Sequence, residues 1–100
     1  MPPVMRSEEA MRQGLLLKHP RPEYPLDARA NRITGKGEFE IRFDYDTGHL
    51  REVRILKSTG HRSLDKSAIE TFQKWQAKPH GLRAISVPVS FAISDAPPPR

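Results

Sequence analysis

The chain has 100 residues, no cysteine, and a formal charge of +5 from 17 Lys and Arg against 12 Asp and Glu. That length fits one domain with a modest core. Disulfides, thiol chemistry and cysteine zinc sites are excluded, and no apolar run approaches the ~20 residues of a membrane span. The basic residues run from Arg6 to Arg100 and are mixed with acids, as in EIRFDYD and REVRILK. A basic balance can serve nucleic acid, anionic lipid or another polyanion, but this spacing reads first as a solvated surface.

Residues 1–19 read as a linker end carrying a short helix. MPPVM is Pro-rich. Over 7–18, Ser7 is the expected N-cap, Glu8 and Glu9 suit the positive end, and Met11 and Leu15 share a face, while Gly14 weakens the pattern. The three prolines of HPRPEYP forbid a helix across 20–25 and favour extended chain. Pro25 then suits the first turn of a second short helix, LDARANR, with Leu26, Ala30 and Ile33 turned inward.

Gly35 and Gly37 precede a strong strand. Phe39, Ile41, Phe43 and Tyr45 form one face, and Glu38, Glu40, Arg42 and Asp44 the other. DTGH (46–49) is a turn with Gly48 at its positive-φ position. The returning strand, Leu50–Lys57, is expected to bury Val53 and Ile55. After the loop STGHRS, residues 63–76 read as a helix. Leu64, Ala68, Ile69, Phe72 and Trp75 lie on one stripe, Ser63 is the expected cap, and Asp65 suits the first turn. Lys78-Pro79 ends it.

The closing stretch ISVPVSFAI (85–93) alternates like a half-buried strand yet holds Pro88 at its centre. A proline is tolerated there only if its missing N–H points out from an edge. Strand, strand, helix, strand in that order predicts an α+β fold. Its sheet is a three-stranded split β-α-β of order 2-1-3, with helices on one face and strand three as an edge. DAPPPR (95–100) reads as a disordered Pro-rich tail.

Chemistry has few carriers. His19, His49, His61 and His80 form no metal-ligand spacing, and Ser58 and Ser63 stand in no nucleophile motif. Gly35-Lys36-Gly37 opens a strand rather than a helix, so it is no phosphate loop. The reading is a non-enzyme without metal or cofactor. An RNA-binding sheet would stack aromatics on its open face; here they share the core face and carboxylates hold the open one, which disfavours nucleic acid. What remains is an edge that an extended peptide can join by strand addition, or one that stays solvated. Four or five hydrogen bonds at ~0.5–1.5 kcal/mol each imply roughly micromolar binding or weaker.

Taken in order, EYPLDARANRITG (23–35), FEIRFDYDTGHLREVRILKSTG (39–60), LDKSAIETFQKWQAKP (64–79) and VPVSFAI (87–93) resemble the C-terminal domain of the TonB family. The likeness covers residues 20–94 as the domain. Complete members carry an inner-membrane anchor and a long Pro-rich linker, so the resemblance implies a periplasmic domain belonging to a longer, inner-membrane-anchored parent. It implies an energy transducer driven by the ExbB–ExbD motor through that anchor. The domain would grip the TonB box of outer-membrane transporters for siderophores, haem or cobalamin by strand addition, in the service of iron uptake. Carried over by position, Ser86, Val87, Val89 and Ser90 belong to the receiving strand. Arg21, Pro22, Glu23, Tyr24 and Pro25 form the segment that contacts the box. The charges of Arg21 and Glu23 stand where family members often carry Gln, a departure that bears on box preference. A monomer or weak homodimer is expected. The alternatives are a periplasmic scaffold that binds peptidoglycan or a TolA-like partner, and a small basic nucleic-acid binder.

Overall fold

The computed structural model describes residues 4–93; the tail expected at 95–100 lies outside them. The elements are β1 (Met5–Arg6), α1 (Ser7–Arg12), β2 (Leu16–Lys18), α2 (Leu26–Ala30), β3 (Gly35–Phe43), β4 (Leu50–Lys57), α3 (Arg62–Phe72), β5 (Gln76–Ala77) and β6 (Ala84–Phe91). The fold class is α+β. Its main sheet has four strands in the order β1-β6-β3-β4, and β2 with β5 forms a second, two-stranded sheet.

The central strand is β3, whose alternation places Phe39, Ile41 and Phe43 in the core. It pairs antiparallel with β4 on one side and with β6 on the other, Phe39 standing opposite both Ile55 and Val87. One continuous core joins these side chains to Leu64, Ala68, Phe72 and Trp75 of α3 and its C-terminal turn. Phe72 bridges the layers, its ring 5.5 Å from Phe39 and 5.2 Å from Trp75. The 44–49 turn is tied to the second sheet, with Ala77 N–H donating to Gly48 O at 2.9 Å. Gly48 has φ +80°, and a Cβ there would lie 2.0 Å from the Ala77 carbonyl oxygen, so only glycine fits.

The sheet corrects the three-stranded expectation. Met5 and Arg6 pair in parallel with Ile85 and Ser86, so the closing strand is an edge over only part of its length. The helix expected over 7–18 stops at Arg12, with Arg6 rather than Ser7 at its N-cap. Gly14 at φ +70° then turns the chain into β2. Ala10 is fully buried and α1 packs on β6, while Met11 faces out. In α2, Pro25 is the N-cap and Ala28 the buried residue; Leu26, expected inward, is 82% exposed. On β4, Ile55 is 45% exposed rather than buried, and Leu56 53%. Tyr45 lies past the end of β3 and is exposed. The N-cap of α3 is His61, not Ser63.

Candidate functional site

The direction of each backbone group on β6 follows from one bond. Phe43 N–H donates to Arg83 O at 2.9 Å, just beyond the β3–β6 ladder. In an antiparallel pair, hydrogen-bonded and non-bonded positions alternate. The register Arg42↔Ala84, Glu40↔Ser86, Glu38↔Pro88, Lys36↔Ser90 is therefore the non-bonded set, and Ser86, Pro88 and Ser90 turn their backbone groups away from β3. Pro88 stands where a missing N–H leaves the ladder intact. Ser86 is met by β1, whereas the Pro88 carbonyl and the Ser90 N–H and C=O lie beyond the end of β1.

Beside this open half-edge runs a groove of about 540 Å³. Residues 87–92 form one side, and Ser7, Glu8 and Met11 of α1 form a second. His19, Arg21, Pro22 and Tyr24 close it, and Phe72 and Trp75 lie at its base. The extended segment owes its position to four contacts. Trp75 Nε1 donates to Pro20 O at 2.8 Å, the Tyr24 hydroxyl donates to Ile33 O, and Ser67 Oγ donates to Glu23 O at 2.5 Å. The Tyr24 ring also sits edge-on to Phe91 at 5.4 Å. The three prolines stiffen the chain between these anchors.

Of the residues expected at a peptide site, the structure brings Arg21, Pro22, Tyr24, Val87, Val89 and Ser90 together around this groove. Val87 and Val89 point into the core, so what they offer at the edge is backbone. The other three lie apart. Glu23 is exposed and turned toward α3 through its carbonyl. Pro25 caps α2. Ser86 is buried and paired with Arg6.

Sequence reasoning placed a helix over the residues of α1 but not the wall it makes, because where a short helix docks is set by distant contacts. It read Trp75 first as a core residue on the helical stripe. That ring is buried, stacks edge-on with His19 at 6.1 Å and lines the groove as well.

Two further grooves flank β4. One, of about 520 Å³, lies between its end and α3. There Asp65 accepts from Thr59 N–H (2.9 Å), Thr59 Oγ1 (2.7 Å) and Ser58 Oγ (2.5 Å). Burial pushes the Asp65 carboxyl up, but the hydrogen bonds from Ser58 and Thr59 outweigh it and hold the carboxyl below its ordinary value. The other, about 530 Å³, gathers Arg42, Arg51 and Arg83 around Tyr45, with the Arg83 guanidinium 4.4 Å over the Tyr45 ring. Arg42 Nε donates to Glu40 at 2.7 Å, and that bond and charge raise its already high pKa. Among the described residues, no cluster of His, Asp and Glu is placed to hold a metal ion, and no helix is long and apolar enough to cross a membrane.

A family model described as Gram-negative bacterial TonB protein C-terminal matches residues 20–94. Protein TonB of Vibrio cholerae is 30% identical over 104 residues, covering 91% of this chain and 42% of the relative. Protein tonB2 of Pseudomonas aeruginosa is 32% identical over 85 residues, covering 78% of this chain and 31% of the relative. The chain thus spans less than half the length of either. The solution NMR structure of the Pseudomonas aeruginosa TonB CTD shares the fold, with a TM-score of 0.68 at 24% identity over 82% of this chain and 88% of that one.

Proposed function

The chain belongs to the family of TonB C-terminal domains, and we propose that it is the periplasmic, peptide-binding end of a TonB-type energy transducer. In this reading it is not an enzyme. It engages the TonB box of outer-membrane transporters for siderophores, haem or cobalamin and passes on energy derived from the proton-motive force. The ExbB–ExbD motor would act through a membrane anchor elsewhere in the parent protein.

The observation that carries this reading is a coincidence in space. The uncovered half of the β6 edge, with its Pro88 and Ser90 backbone groups, opens onto the same groove as Arg21, Pro22 and Tyr24. An extended segment laid there pairs main chain to main chain and sets its side chains against Tyr24 and Trp75. Three open edge groups at ~0.5–1.5 kcal/mol each fall short of the four or five bonds an uncovered strand would offer. Apolar contact in the groove must supply the rest, and the affinity should be about micromolar or weaker. Force along the domain would load those backbone bonds together, which suits a strand used for pulling.

Trp75 is the chain's single tryptophan, so its emission reports on the groove. Titration with TonB-box peptides should shift that emission in a saturable way, and Tyr24→Ala should weaken the response. A flat trace with several different box peptides would count against the reading. A second reading, a scaffold that binds cell-wall polyanions, draws on Arg42, Arg51 and Arg83 around Tyr45. It predicts salt-sensitive binding to peptidoglycan that is indifferent to changes in residues 87–91.

A further inference from the structure

We infer that the chain's own N-terminal strand competes with the incoming peptide for β6, so that β1 and α1 act as a displaceable self-ligand of the binding edge. This deepens the proposed function and rests on it.

A strand that added along all of β6 would need the outward groups of Ser86 as well as those of Pro88 and Ser90. Ser86 is already engaged, because Met5 and Arg6 lie beside Ile85 and Ser86 in parallel register. What remains is a half-edge, too short to hold an extended segment by backbone pairing alone. The cover is fastened by little. The β1 pairing is two residues long. The α1 helix of six residues buries only Ser7 and Ala10, and it follows no ordered side-chain cap, since Arg6 makes no capping hydrogen bond. Elements with so few buried contacts open locally at much lower free energy than the core. The helix also supplies one wall of the groove, through Ser7, Glu8 and Met11. Its release therefore lengthens the edge and widens the groove in one step. A transporter segment binds fully only when the N-terminal strand has left, and binding should release that strand in return.

The test uses the whole chain and one double variant, Arg6→Cys with Ser86→Cys. The protein has no other cysteine, and paired neighbouring strands lie within reach of a disulfide. Oxidised, β1 is locked onto β6; reduced, it is free to leave, and the side chains are otherwise the same. With a TonB-box peptide as probe and Trp75 emission as readout, the reduced form should bind about tenfold more tightly than the oxidised form, the factor expected when the locked state removes most of the competent population. In a separate variant, Ala10→Glu places a carboxylate at a fully buried position of α1 and should tighten binding relative to the unaltered chain. Equal affinity in both redox states, or failure of the disulfide to form, would overturn the competition while leaving the proposed function standing. No binding in either redox state or in Ala10→Glu would overturn both.

Discussion

The main sheet has two edges, and they are protected in opposite ways. The β4 edge is charged, with Arg51, Glu52, Arg54 and Lys57 among its eight residues, and its pairing with β3 shifts register between Glu38 and Phe39 and again between Arg42 and Phe43. Charges and irregular pairing make an edge a poor template for another strand. The β6 edge carries no charge at all, from Ala84 to Phe91. It is guarded by a proline whose missing donor faces out, and by a two-residue strand from the chain's own N-terminus. A permanently closed edge can be charged. On the proposed reading the β6 edge accepts a partner, and an uncharged strand with a short, displaceable cover suits that role.

The largest expected effect removes what the two edges share. Phe39 is fully buried opposite both Ile55 and Val87, so Phe39→Ala should lower stability by about 3–5 kcal/mol in urea unfolding. Peptide binding should fall with the folded fraction. Next, Gly48→Ala forces a Cβ toward the Ala77 carbonyl at φ +80° and should cost about 2 kcal/mol or more. It loosens the hairpin end without touching the β6 edge, so peptide affinity of the folded protein should hold. A matched pair of prolines addresses the edges themselves. Ser90→Pro deletes an outward N–H on β6 and should weaken peptide binding about fivefold, the worth of one edge hydrogen bond. Ile55, on the far side of the same β3 position that bonds β6, also turns its N–H outward; Ile55→Pro should leave the affinity within about twofold.

The smallest effect concerns the tether at the end of β4. Because the Asp65 carboxyl titrates below its ordinary value when folded, its stabilisation is full above the unfolded pKa and is lost as pH falls through the folded one. Asp65→Asn should cost about 1 kcal/mol or less near neutral pH. The gap to the unaltered chain should close on acidification below about pH 4, measured by unfolding at several pH values.

The asymmetry between the edges was half legible in the sequence. Alternation through Phe39, Ile41 and Phe43, and again through Ile85, Val87, Val89 and Phe91, marks β3 and β6, and Pro88 marks β6 as an edge. The helical stripe from Leu64 to Trp75 places α3. The cover over β6 was not legible. Met5 and Arg6 pair through backbone alone, and two residues cannot display a period. Leu16–Lys18 reads as apolar helix until Gly14 is seen to break the chain before it. The exposure of Leu26 and Ile55 was misread for a related reason: apolar character sets what a side chain prefers, not whether a neighbour arrives to cover it. At the candidate site, the TonB resemblance pointed to residues 21–25 and to β6; Arg21, Pro22, Tyr24, Val87, Val89 and Ser90 line the groove, while Glu23, Pro25 and Ser86 lie apart. The wall from Ser7, Glu8 and Met11 depends on how a short helix docks, which no local pattern encodes.

The most direct measurement is a titration of isotope-labelled protein with a TonB-box peptide, following backbone amide shifts. The account predicts perturbations at residues 21–24 and 87–91, at Trp75, and at Met5, Arg6 and Ala10 as the N-terminal strand is displaced, with β4 silent. Shifts confined to β4 or to the Arg42, Arg51 and Arg83 cluster, with none along β6, would contradict it.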